Sequence, residues 1–108
     1  MRIGLNTFLV SPGFTDSDLA LIYEFKSYGA DVVELAIVEP SKVSVPQLKT
    51  ALVEFGLERP IVCGAFGPGR DLRGSPKEVA TSSAYIENLI DIAVVLDSKI
   101  VCVPMYSE

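Results

Sequence analysis

The sequence predicts an α/β protein in which four parallel β-strands alternate with three helices. Short apolar runs begin near residues 2, 31, 60 and 99. A helical pattern of apolar residues lies between each run and the next, with glycine or proline at the boundaries. A helix between consecutive strands favours parallel pairing, because the chain must return to the same end of the sheet.

The first unit begins with a strand over residues 2–9, which the Ser-Pro-Gly run at 11–13 interrupts. Thr15 and Asp18 predict a helix start, since their side chains can cap the first backbone N–H groups. Gly29 suits the left-handed position that ends a helix. The predicted helical face contains Leu19, Ile22, Tyr23 and Lys26.

The second unit repeats this pattern, with a strand over residues 31–38 closed by Glu39-Pro40. Its helix is predicted to begin at Ser44, because Pro46 fits the first turn, and to end at Gly56. The helix carries Leu48, Leu52 and Phe55.

The third strand begins at Pro60 as an apolar run, typical of a strand buried on both faces. It opens into a loop with glycines at positions 67 and 69, followed by Arg70 and Asp71. Such a loop at the C-terminal end of a parallel strand is a common ligand site.

A third helix is predicted from Ser75 to about Leu96, and a fourth strand over residues 99–105. The predicted apolar face of the helix comprises Val79, Ile86, Leu89, Ile90 and Ala93. Four strands without a covering helix after the last would leave two apolar edges. We therefore expect residues 1–108 to be the N-terminal half of an eight-stranded (β/α)8 barrel, with the second half outside this chain.

Composition narrows the class of function. Nine basic and 14 acidic residues give a net charge of −5, which disfavours nucleic acid and anionic membranes as partners. The chain has no histidine, so it cannot hold a Ser-His-Asp triad or an imidazole metal site. Cys63 and Cys102 lie in apolar runs and are predicted to be buried thiols. With no apparent membrane span or signal peptide, we expect a cytoplasmic protein.

Three segments together resemble the sugar isomerase/epimerase branch of the xylose-isomerase-like TIM barrels, especially the ketose 3-epimerases acting on tagatose and psicose (allulose). They are Arg-Ile-Gly-Leu-Asn-Thr-Phe at 2–8, Gly-Ala-Asp-Val-Val-Glu-Leu at 29–35, and Gly-Ala-Phe-Gly-Pro-Gly-Arg-Asp-Leu at 64–72. The match covers essentially this whole chain, and about the first third of a complete family member.

The resemblance implies a divalent metal, Mn²⁺ or Co²⁺, and two glutamates that move a proton at C3 of an open-chain ketose through an enediolate. In the family these ligands and acids lie on later strands, beyond residue 108. We therefore assign no catalytic residue and no metal ligand here, and expect this chain alone to be inactive.

The resemblance also implies that the ends of strands one to four line the sugar pocket. The corresponding residues are Asn6, Phe8, Glu34, Phe66, Gly67, Arg70 and Tyr106. Structural alternatives remain for several of them. Glu34 could instead pair with Arg2 or accept a hydrogen bond at the strand end, and Arg70 could tie its loop to Asp71 or another acid.

Two other functions remain open at this point. The chain could be a non-catalytic half-barrel that forms a homodimer through its edge strands, or joins a complementary half-barrel. It could also be a small flavodoxin-like module that binds an anion at the loop of residues 67–70.

Overall fold

A computed structural model of the protein describes residues 2–66 and 69–103. The described residues form one four-stranded sheet and three α-helices. The strands are β1 (Gly4–Asn6), β2 (Val32–Ala36), β3 (Ile61–Cys63) and β4 (Val101–Cys102). The helices are α1 (Ala20–Ser27), α2 (Val45–Glu54) and α3 (Pro76–Val95). No helix in this part of the chain is long and apolar enough to cross a membrane.

The sheet has the order β1-β2-β3-β4, and every pair of neighbours is parallel. The predicted α/β class, with four strands and three helices, is therefore confirmed. A flavodoxin-like sheet would have its first strand between the second and third. The observed order has no such reversal, so the flavodoxin-like alternative was wrong. Each strand pairs with the next one in the sequence, as the strands do in the first half of a (β/α)8 barrel.

The two faces of the sheet differ in polarity. Val33 and Leu35 of β2 and Val62 of β3 are fully buried in a core shared with all three helices. The opposite face, here called the open face, carries Glu34 and Cys63, which alternate with these residues along the strands. The predicted burial on both faces is seen in β3, where Val62 and Cys63 lie on opposite faces and are both buried, whereas Glu34 of β2 is partly exposed.

The predicted caps are present at most helix ends. The Thr15 N–H donates to the Asp18 carboxylate at 3.0 Å, and the Ser75 hydroxyl accepts from the Glu78 N–H at 3.2 Å. Gly29 and Gly56 follow α1 and α2 with φ of 89° and 70°, the left-handed region that glycine adopts without strain. The helix boundaries were thus largely predictable from residues with a direct effect on the backbone.

The first strand is shorter than predicted because side chains replace its backbone pairing. The Asn6 side chain accepts from the Phe8 N–H at 2.8 Å and starts a 3₁₀ turn over Thr7–Leu9. The Thr7 hydroxyl then accepts from the Ala36 N–H at 2.9 Å, as a strand carbonyl otherwise would. The strands β2 and β3 are also shorter than their predicted apolar runs, and β4 occupies only two of the described residues 99–103 of its predicted run, whose residues 104 and 105 lie outside the described part of the chain.

The predicted helix faces were partly wrong. In α1 the buried residues are Ile22 and Phe25, whereas Tyr23 is 60% exposed and Lys26 is also exposed. A 3₁₀ turn at Asp16–Asp18 precedes the helix. In α3, Ile90 is exposed, while the buried residues are Ser82, Tyr85, Leu89, Ile92 and Ala93.

Ser82 provides a test of packing in α3. Its side chain is fully buried, and its hydroxyl has no hydrogen-bond partner among the described residues. A buried polar group without a partner costs about 1–3 kcal/mol. We expect Ser82→Ala to raise the free energy of unfolding, measured by urea denaturation, by about 1 kcal/mol.

The matched control is Ser83→Ala, at an exposed position of the same helix. It changes helix propensity alone, by about 0.5 kcal/mol at most. Equal effects of the two substitutions would show that the Ser82 hydroxyl carries no desolvation cost.

Candidate functional site

Three polar side chains meet on the open face, near the C-terminal ends of β1, β2 and β3. The strand register places Asn6 beside Glu34, and Cys63 one pleat further along on β3. The Asn6 amide donates to Glu34 Oε2 at 3.2 Å, and the Cys63 thiol lies 3.8 Å from the same oxygen. The Asn6 amide nitrogen also lies 3.9 Å from Cys63 Sγ. We call Asn6, Glu34 and Cys63 the open-face cluster.

Within this cluster Asn6 is a positioning residue. Its carbonyl oxygen accepts the Phe8 N–H, and its amide nitrogen is directed at Glu34 and Cys63. Asn6 therefore holds the carboxylate on one side and the 3₁₀ turn on the other. That turn leaves Phe8 42% exposed at the end of β1, next to the cluster in sequence.

Cys63 was predicted as an ordinary buried thiol, and sequence reasoning did not place it in the site. It is 6% exposed, and its pKa is raised from 9.0 to about 11. Burial is the main cause, and the negative charge of Glu34 and the nearby Cys102 add to it. At neutral pH Cys63 is thus a protonated thiol beside a carboxylate, and it reacts more slowly as a nucleophile than an ordinary thiol.

Cys102 is the second cysteine, and its predicted burial was wrong. It lies in β4 directly beside Cys63 and is exposed. The apolar residues around Cys102 suggested burial. Along a strand, however, only every second residue meets the core, and Val101 and Val103 take those positions.

The hydroxyl of Tyr85 joins the ends of β2 and β3 from the helix side. It donates to the Ile37 carbonyl at 2.5 Å and accepts from the Ala65 N–H at 3.0 Å. A Cβ added at Gly64 would lie 2.6 Å from this hydroxyl. Glycine at position 64 therefore allows the close approach that the bridge requires.

Arg70 is held by the same group of residues. Its guanidinium donates to the Val38 carbonyl at 2.8 Å, contacts the Ala65 carbonyl at 3.5 Å, and lies 3.9 Å from the centre of the Tyr85 ring. These contacts anchor Arg70 as the structural alternative proposed, but the partners are backbone carbonyls and an aromatic ring, not an acid. The expected acid, Asp71, binds Arg73 instead.

The structure thus divides the predicted pocket residues into two groups. Asn6 and Glu34 meet in the open-face cluster, with Phe8 at its edge. Phe66 packs against the core with its ring edge-on to Tyr85, beside Arg70. Gly67 and Tyr106 lie outside the described residues. The suggested pairing of Glu34 with Arg2 was wrong, since its hydrogen-bond donors are Asn6 and Cys63.

The residues described here do not fit the metal that the resemblance implied. No group of three or more histidine, cysteine, aspartate or glutamate side chains that could hold an ion occurs within 2–66 and 69–103. A metal centre of the family type would need ligands from outside this stretch.

The strand order, the shared core on one face and the polar open face define the class: the first arc of a (β/α)8 barrel. Comparison with solved structures agrees with this class. The D-allulose 3-epimerase from Methylomonas sp., solved in complex with D-allulose, superposes with a TM-score of 0.85 at 20% sequence identity. The D-psicose 3-epimerase from Clostridium cellulolyticum H10 gives 0.74 at 16% identity, and an L-ribulose 3-epimerase gives 0.71 at 24%.

These alignments cover 94–95% of this chain but only 35–37% of the epimerases. The predicted structural resemblance to ketose 3-epimerases is therefore confirmed over about the first third of such an enzyme. No family profile and no curated protein matches the chain by sequence. At this level of identity the likeness establishes the fold.

The Tyr85 bridge can be tested by removing one oxygen. Tyr85→Phe keeps the ring under Arg70 but leaves the Ile37 carbonyl and the Ala65 N–H without this partner. We expect the free energy of unfolding in urea to fall by about 1–3 kcal/mol. Tyr28→Phe, at a side chain that is 70% exposed, should change it by less than about 0.5 kcal/mol. A similar small loss in both variants would contradict the bridge.

The raised pKa of Cys63 predicts a loss of stability in alkaline solution. In the unfolded chain the thiol ionises near 9.0, whereas the folded chain holds the proton until about 11. The unfolded state therefore binds fewer protons in this window, and the free energy of unfolding should fall as pH rises from 9.0 to about 11.

Urea denaturation across this pH range measures the slope. Cys63→Ala should flatten it, and Cys102→Ala should leave most of it. The pKa of Tyr85 is also raised by burial, so a residual decline is expected in both variants. A slope that Cys63→Ala leaves unchanged would show that this thiol is not held protonated by the fold.

Proposed function

We propose that this chain forms the substrate-side wall of a ketose 3-epimerase, with Glu34 as its main polar contact to the sugar. The observation that supports this most strongly is the position of the open-face cluster. It lies at the C-terminal ends of the strands, where TIM-barrel enzymes bind substrate. The chain itself has the fold of about a third of an epimerase that was solved with D-allulose.

The proposed roles follow from the contacts. Glu34 is a partly exposed carboxylate, and Asn6 and Cys63 both contact the same oxygen, Oε2. A carboxylate accepts hydrogen bonds from adjacent hydroxyl groups, which an open-chain ketose offers in a row. Phe8 supplies apolar surface at the end of β1 for the carbon side of the sugar.

The other predicted pocket residues have supporting roles in this proposal. Arg70 and Phe66 shape the loop after β3 through their contacts with Tyr85. Gly67 and Tyr106 keep their assignment as sugar contacts on the family resemblance alone. Proton transfer at C3, and the Mn²⁺ or Co²⁺ of the family, belong in this proposal to residues outside the described stretch. A cytoplasmic location and a homo-oligomer or complementary half-barrel also remain predictions.

A chimera tests the proposal. This chain replaces the structurally equivalent part of the Methylomonas D-allulose 3-epimerase, which is 36% of that enzyme. We expect a folded chimera to epimerise D-allulose with Mn²⁺ or Co²⁺ in the assay. Glu34→Gln in the chimera should lower kcat/KM by about 10- to 100-fold, the range for a lost hydrogen bond to a charged group.

The matched control is Glu24→Gln, an exposed carboxylate on α1 that should leave kcat/KM unchanged. Circular dichroism and thermal melting establish that each chimera is folded. If the fusion does not fold, co-expression of this chain with the remaining part of the enzyme gives a second route. A folded, inactive barrel, or full activity with Gln at position 34, would refute the proposed role.

A further inference from the structure

The two cysteines of the chain are register partners on neighbouring parallel strands. Cys63 of β3 lies directly opposite Cys102 of β4, and both are free thiols. Register partners on parallel strands project to the same face of the sheet. The face they share is the open face, and the thiol of Cys63 already belongs to the open-face cluster.

This placement satisfies the main distance requirement for a disulfide. Neighbouring strands lie about 4.8 Å apart, and bridged cysteines have Cα atoms about 4.4–6.8 Å apart. Cys63 Sγ now lies toward β2, 3.8 Å from Glu34 Oε2. Rotation about its Cα–Cβ bond, without a change of strand pairing, would direct the sulfur toward β4 instead.

We propose that Cys63 and Cys102 form a reversible redox pair, whose oxidation removes the Cys63 thiol from Glu34. Cys102 is exposed and Cys63 is buried, so the order of events follows from access. The Cys102 thiolate attacks one oxygen of a peroxide, the O–O bond breaks, and Cys102 becomes a sulfenic acid as hydroxide leaves and is protonated.

Cys63 then attacks the sulfenic sulfur, the S–O bond breaks, and the leaving hydroxide takes the Cys63 proton to form water. With hydrogen peroxide the sum is two thiols plus one peroxide giving one disulfide and two waters. Two electrons pass from the sulfurs to the peroxide oxygens. A thiol reductant reverses the step by exchange.

Oxidation would change the open-face cluster in a defined way. Glu34 would lose the thiol proton as a hydrogen-bond partner, and the Asn6 amide would lose its contact with Cys63 Sγ. The effect on sugar binding rests on the function proposed above. Formation of the disulfide does not, so the two can fail separately.

The test treats the purified chain with hydrogen peroxide over a range of protein concentrations. Free thiols are then alkylated, and peptides are mapped by mass spectrometry without reduction. We expect a peptide pair linking Cys63 to Cys102 within one chain, at a yield that does not depend on protein concentration. The side-chain amide signals of Asn6 in NMR spectra should shift on oxidation and return when dithiothreitol is added.

The controls are Cys63→Ser and Cys102→Ser, which should each abolish the shift of the Asn6 signals. Higher oxidation of Cys102 with Cys63 still reduced would overturn the proposal. A disulfide found only between two chains would also overturn it. So would an internal disulfide that leaves the Asn6 signals unchanged, since the cluster would then be independent of the redox state.

Discussion

The alternation of side chains along β2 is the constraint on which the rest of the structure depends. Val33 and Leu35 enter the helix-covered core, which leaves Glu34 on the opposite face. A shift of one residue would bury the carboxylate among apolar helices and expose two aliphatic residues. The burial of the core therefore fixes Glu34 on the open face more firmly than its own hydrogen bonds do.

Much of the fold could be predicted because the relevant residues act locally. Proline at a first helical turn, a side chain that caps an N-terminus, and glycine with positive φ each constrain the backbone where they occur. Gly29, Gly56 and Ser75 marked their helix ends correctly for this reason. The repetition of such signals gave the order of strands and helices, and with it the parallel sheet.

The site was less predictable because its contacts join residues that are distant in sequence. Arg70 binds the backbone carbonyl of Val38. This contact could not be predicted, because every residue has such a carbonyl and the side-chain sequence does not show which one is within reach. From the sequence, Cys63 was predicted to be a buried apolar residue. Only the register of β3 against β2 shows that it lies near Glu34, 29 residues away. Period-two alternation would have assigned Cys63 to the face opposite Val62. That assignment alone could not pair it with Glu34 without the register of β3 against β2.

The hydrogen-bonding needs of Glu34 relate the closure of a barrel over the open face to the kind of ligand that such a barrel would bind. A carboxylate that loses contact with water needs hydrogen-bond donors in place of that water. Among the described residues Glu34 has the Asn6 amide and the Cys63 thiol, and both contact Oε2. A carboxylate has acceptor sites for about four hydrogen bonds. If further strands closed over this face, Glu34 would need more donors, and the hydroxyl groups of a sugar could supply them. Desolvation of the open face and recognition of a polyhydroxylated ligand would then be one and the same event.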